Sequence, residues 1–234
     1  MLNKRFYKQV TVQEQQDGTC AILLDSRELK TPARSALHVP PAAARMVADE
    51  WDAQGDEVNP ASMPATRLLN TAIDRVPAAR VEIIDELMRH LDHDVLCHVA
   101  PHPQDLAQMQ AQEWQPVLDW AEQEFGSRWQ VTTSLTPPSQ PDACRHAVEA
   151  AFSDMDDLQL ACASEAAPIL SSLVLTLAMF RGHLTPDQAF DTAELEARFQ
   201  IQKWGEDEEA EARLAIRRAE LTLCHDLAKA CASS

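Results

Sequence analysis

Glycine is scarce: the 234-residue chain holds five, Gly18, Gly55, Gly126, Gly182 and Gly205, and no two lie within six positions of each other. Loops that cradle phosphate need clustered glycines, because the backbone must turn tightly and approach the ligand. The P-loop and GxGxxG patterns are therefore excluded, as is the GxSxG nucleophile elbow. The HExxH metalloprotease signature is missing as well. Basic residues are few: 20 Lys and Arg stand against 37 Asp and Glu, a formal net charge of −17. Such a chain is repelled by phosphate backbones and anionic lipid, so no nucleic acid and no membrane surface is expected as a partner. Long apolar runs are lacking too. The most apolar stretch, Ile169 to Phe180, is far short of the ~20 residues of a spanning helix, and no membrane insertion is expected. The N-terminus, MLNKRFYKQV, has neither an apolar signal core nor an Arg- and Ser-rich leader. The expected setting is the bacterial cytoplasm, or the mitochondrial matrix for a mature organellar form. Cys20, Cys97, Cys144, Cys162, Cys224 and Cys231 make no CxxC pair, which points to reduced, buried thiols rather than a disulfide framework.

Prolines, in contrast, number 14, and with so few glycines they read as helix starters. Residues 4–39 carry the strand signal. Phe6 to Val12 alternates, Asp17-Gly18 supplies a turn, Cys20 to Leu24 is a second run, and Glu28-Leu29-Lys30 and Ala36 to Val39 are shorter candidates. Helical spacing takes over from Pro41. Helices are expected at 41–54, 65–76, 77–98, 103–114, 116–125, 142–153, 155–164, 166–181, 185–204 and 206–231. Thr185-Pro186-Asp187-Gln188 has the residues of a capping box. The fold class is α+β: a small N-terminal antiparallel β-rich domain over residues 1–62, followed by a larger all-α domain over 63–234.

Few residues offer chemistry. His90, Asp92, His93, Asp94, Cys97, His98 and His102 include competent metal ligands, and a metal-dependent enzyme using this segment is the rival reading. The set is split over two helix faces and interleaves with the apolar stripe of Leu87, Leu91 and Val95, which favours the polar flank of a core helix. The acid pairs Asp49-Glu50, Asp156-Asp157 and Glu194/Glu196 read as solvated helix faces rather than general acids and bases. The segment Leu195 to Asp207 differs. Glu196, Gln200 and Lys203 recur at helical spacing and form one polar face, Gly205 suits a helix C-terminus, and Phe199 and Trp204 are expected to brace the helix end.

Several ordered blocks carry a resemblance across nearly the whole chain. They are Arg5-Phe6-Tyr7-Lys8, Leu24-Asp25-Ser26-Arg27, Lys30-Thr31-Pro32, Glu50 to Gln54, Pro60 to Thr66, Asn70 to Asp74, Ser172-Leu173, Leu195-Glu196, Phe199-Gln200-Ile201 and Trp204-Gly205. Together they resemble the ATP synthase assembly chaperones dedicated to the alpha subunit, the ATP-twelve family. The resemblance implies a two-domain fold, capture of the unassembled ATP synthase alpha subunit, no enzymatic activity and no cofactor. The expected oligomeric state is a monomer. An acidic residue before the Phe-Gln-Ile run is important in the family, and Glu196 matches it. The partner-binding set expected here is Glu196, Gln200, Lys203, Trp204 and Asp207. Ala197 and Arg198 replace acids typical of the family, and Ser26 stands where glycine is common.

Overall fold

A computed structural model of the chain describes residues 3–205 and 208–232. It divides into two compact units. One contains the residues through Arg80, Asp156–Cys162 and those from Leu223 onward; the other contains Val81–Met155 and Ala163–Thr222. The fold is α+β, an antiparallel N-terminal sheet with a mostly helical remainder.

In the first unit, β2 (Val10–Glu14) pairs antiparallel with β3 (Cys20–Leu24), whose other edge takes β4 (Arg27–Glu28) and β5 (His38–Val39). The buried β3 carries Cys20, Ala21, Ile22 and Leu24 into the core. A second small sheet pairs β1 (Asn3–Lys4) with β6 (Glu57–Val58), a pairing without a sequence signal. Between β3 and β4, Asp25 takes a φ of 56°, while Ser26 is not in the left-handed region. Asp tolerates that conformation, so serine in place of the family's common glycine does not strain this turn. Helices α1 (Pro41–Asp52) and α2 (Pro64–Asp74) each start on a proline.

Blocks that carry the resemblance meet in pairs within this unit. The last carbonyls of a helix lack intrahelical donors, and Arg5 and Tyr7 supply them at the end of α1. The Tyr7 hydroxyl donates to Trp51 O at 2.6 Å, and the Arg5 guanidinium donates to the carbonyls of Asp52 and Gln54. Thr31 Oγ1 donates to Asp74 Oδ1 at 2.7 Å, and Ala33 N–H to Asp74 Oδ2 at 2.9 Å. Glu50 does the same work for the start of α2, accepting from Ala65 N–H (2.6 Å), Thr66 N–H (2.8 Å) and the Thr66 hydroxyl (2.7 Å). The reading of Glu50 as a solvated acid is thereby corrected. Asp157, likewise, is paired to Arg80 at 2.8 Å.

Helix α3 (Val76–Met88) is shorter than the expected 77–98. Two single 3₁₀ turns, Leu91–His93 and Val95–Cys97, replace its C-terminal half. Asp94 sits between them at ψ 128°, outside the helical region, and its carboxylate accepts from Leu96 N–H. Helical spacing puts Val81 on one stripe with Ile84 and Leu87; Ile84 and Leu87 are buried as expected, together with Ile83, but Val81 is 72% exposed.

Helices α4 (Gln104–Phe125) and α5 (Asp142–Ser153) follow. The break expected at Pro116 is absent, and α4 runs through it. Pro116 lies on the exposed side, while Trp114, Val117, Leu118 and Ala121 are buried on the other. The carbonyl that loses its N–H partner therefore faces water, and the buried stripe holds the helix across the gap. The break expected near residue 165 falls instead between α6 (Asp157–Leu170) and α7 (Leu173–Phe180). There Ser172 caps α7, accepting from Leu175 N–H at 2.9 Å. The expected helix 185–204 splits into α8 (Pro186–Ala193) and α9 (Leu195–Trp204). Two carbonyls that would continue it are taken by side chains: Thr192 O accepts from the Trp114 indole at 3.0 Å, and Asp191 O from Arg198 at 3.0 Å. The capping box forms at the head of α8, with Thr185 and Gln188 bonded reciprocally. Helix α10 (Glu208–Ala232) completes the order.

Candidate functional site

Helix α9 lies along α4 in the second unit, held by a row of polar links. Asp105 Oδ2 meets Lys203 Nζ at 2.6 Å, Gln110 Nε2 donates to Glu196 Oε1 at 2.8 Å, and Arg198 forks onto Glu113 at 2.8 and 3.3 Å. Asp105, Gln110 and Trp114 meet Lys203, Glu196 and Thr192 in descending order, so α4 and α9 run antiparallel. Phe199 and Leu195 fill the interface side of α9 and are buried. The two salt links are each about half or one-third exposed, where an ion pair contributes only about 0–1 kcal/mol. Gln110 matters more. It is fully buried, its Oε1 accepts from Ala100 N–H at 2.8 Å, and Glu196 takes its amide N–H. Leaving such a buried amide unpaired costs about 1–3 kcal/mol.

Glu196 and Lys203, which make two of those links, are nonetheless exposed, as are Gln200 and Trp204, and Trp204 at 76% is among the most exposed large apolar side chains described. This corrects the expectation that Trp204 braces the helix end: Phe199, 5% exposed, does so alone. Lys203 lies 5.3 Å over the Phe199 ring. Its hydrogen bond holds the Asp105 carboxyl below the usual carboxylate range. Gly205 ends the helix at φ 91°, ψ 175°, and its N–H donates to Ile201 O at 2.9 Å. That backbone region is essentially glycine's own. Asp207 lies outside the described residues. Sequence reasoning missed Asp105, Gln110 and Glu113, because their partners are about 85–98 positions away and no local pattern joins them. Arg198, which departs from the family's acids, is fixed by Glu113.

The rival metal segment is committed elsewhere. Asp94, 1% exposed, accepts from the Ser172 hydroxyl (2.9 Å) and Val174 N–H (3.0 Å) at the head of α7. Burial pushes its carboxyl up, and those hydrogen bonds oppose the shift. Both carboxylate oxygens of Asp92 accept from the one Arg145 nitrogen Nη2 at 3.1 Å, and Oδ1 also accepts the Gln140 N–H at 3.0 Å. Cys97 is buried beneath Gln140 Nε2 at 3.4 Å, and burial drives its thiol far above the usual range. Among the described residues no group of three or more His, Cys, Asp or Glu is placed to hold a metal ion. The third acid pair is structural too, since Glu194 meets Arg217 at 2.5 Å.

Comparison with known proteins agrees with this architecture. A family profile described as ATP12 chaperone protein matches residues 4–122. The mitochondrial protein atp12 of Schizosaccharomyces pombe is 26% identical over 220 residues, 88% of this chain and 75% of that one. The crystal structure of Atp12 from Paracoccus denitrificans superposes with a TM-score of 0.86 at 30% identity, covering 97% of this chain and 98% of that one. That of the Atu1473 protein from Agrobacterium tumefaciens gives 0.89 at 35% identity, over 98% and 86%. The profile match stops before α9, but the two structural matches extend over nearly the whole chain. The chain therefore belongs to the ATP12 chaperone family, the assembly chaperones of F1 ATP synthase.

Proposed function

We propose that this protein binds the unassembled alpha subunit of ATP synthase and covers its subunit interface until the beta subunit replaces it. The carrying observation is the outward face of α9. Most polar residues of the resembling blocks in the first unit are spent on helix ends and turns of their own fold, whereas on α9 Gln200 and Trp204 are exposed, and Glu196 and Lys203 remain exposed beside their links to Gln110 and Asp105. A free alpha subunit exposes apolar surface meant for its neighbours, and large exposed patches aggregate. A cover that must later leave needs moderate affinity, which suits a short helix with a polar rim. Asp207, also expected in the binding set, lies outside the described residues. The protein acts as a non-enzymatic monomer without cofactor, nucleic acid or membrane insertion, in the bacterial cytoplasm or the mitochondrial matrix.

The test is soluble one-to-one capture of the organism's own alpha subunit, expressed without beta, followed by release on adding beta. Glu196 also serves Gln110, so Glu196→Lys alone confounds binding with folding. Glu196→Gln keeps an acceptor for Gln110 and removes the charge. The expected result is weaker capture by Glu196→Gln at unchanged thermal stability. Undiminished capture by both variants would remove Glu196 from the site.

A further inference from the structure

We infer that Trp204 is the anchor of the client contact and that it enters an apolar hollow on the client rimmed by lysine or arginine. This rests on the reading that the client is the alpha subunit. Trp204 is the last residue of α9, and three features hold the backbone that carries it. Phe199 is buried one turn earlier, the neighbouring Lys203 is tied to Asp105 at 2.6 Å, and Gly205 closes the helix with its N–H on Ile201 O. A tryptophan on a fixed backbone has little main-chain freedom to lose on binding, and exposed aromatic side chains are the usual centres of binding energy.

Charge identifies the chemistry of the hollow. The chain just beyond the indole reads Glu206, Asp207, Glu208, Glu209, Ala210, Glu211. The adjacent base, Lys203, is already matched by Asp105. Of the described residues just beyond it, Glu208 and Glu211 are exposed acids, and an acidic partner surface would be repelled there. A cationic rim meets both features at once, since carboxylates pair with Lys and Arg, and the face of an indole attracts either cation.

The experiment measures affinity for purified alpha subunit by titration, with wild type, Trp204→Ala, Trp204→Phe and Glu211→Lys, at low and high NaCl. Circular dichroism and melting curves should not change, because the indole is exposed. Trp204→Ala is expected to weaken binding tenfold or more and Trp204→Phe less. Glu211→Lys and high salt should each weaken wild-type binding severalfold, and acrylamide should quench wild-type fluorescence less in the complex than in the free protein. If Trp204→Ala binds as tightly as wild type while Glu196→Gln does not, the anchor is overturned and the alpha-subunit reading stands. Salt-insensitive binding, with Glu211→Lys unchanged, overturns the basic rim. If wild type self-associates and Trp204→Ala does not, the indole belongs to a contact between copies and the proposal falls. Failure of wild type to bind alpha at all overturns the client reading and this proposal with it.

Discussion

A carboxylate on α1 holds the start of α2. Glu50 accepts two backbone N–H groups and a hydroxyl at 2.6 to 2.8 Å, doing from 15 residues away what an N-cap side chain does locally. The interaction also places negative charge at a helix N-terminus, where the macrodipole favours it. Glu50→Ala leaves both N–H groups without their acceptor in a part-buried place. The expected loss is about 2 kcal/mol, the upper range for a helix cap. Urea unfolding measures it, with Glu50→Gln recovering part because an amide oxygen still accepts. An unchanged midpoint for Glu50→Ala would mean water replaces the carboxylate at no cost. Asp94 plays the same part for α7, and in both cases the acid and its helix are distant in sequence.

At the scale of elements, Pro116 is the test of how far local signals reach. A proline inside a helix removes one hydrogen bond and crowds the preceding turn, at up to about 3 kcal/mol. Here the unpaired carbonyl faces solvent and the helix continues, so Pro116→Ala is expected to raise the melting temperature without altering helix content. A fall in stability would show that the proline contributes more by stiffening the unfolded chain. The example marks what is legible in the sequence. Strands β2 and β3, the proline-started helices α1 and α2, and the capping box of α8 are all readable, because their signals are local. The breaks at Asp94, Ser171-Ser172 and Glu194 are not, because each depends on backbone groups being taken by partners from distant parts of the chain, such as Ser171 O for Val95 N–H, Asp94 for Val174 N–H and Trp114 for Thr192 O. The outward polar row of α9 follows from helical spacing alone. Trp204 does not, because an apolar residue is read inward unless something shows that the helix end has nothing to cover it.

At the scale of the whole molecule, the surplus of acids decides how the fold responds to pH. Four carboxylates are held below their usual range: Asp74 by the Thr31 hydroxyl and then Ala33 N–H, Asp25 by the N–H groups of Lys8 and Gln9, Asp17 by the hydroxyl and N–H of Thr19, and Asp105 by Lys203. A depressed carboxyl stabilises the fold fully above its unfolded value, and the contribution is lost as pH falls through the folded value. Asp94 acts with the opposite sign. Burial raises it, so the folded chain takes up that proton more readily than the unfolded one, and its effect favours the fold on acidification. The depressed groups outnumber it, and as carboxylates lose their charge the net charge of −17 gives way to a net positive charge from Lys, Arg and His. Stability is therefore expected to decline with acid. Asp74→Asn isolates one contribution. The gap in stability between wild type and this variant should be widest near neutral pH and should close as pH falls through and below the ordinary aspartate value of 3.8. Urea unfolding at a series of pH values reads the gap. A gap that stays constant would mean that the Thr31 and Ala33 bonds matter through their shape and not through the charge on Asp74.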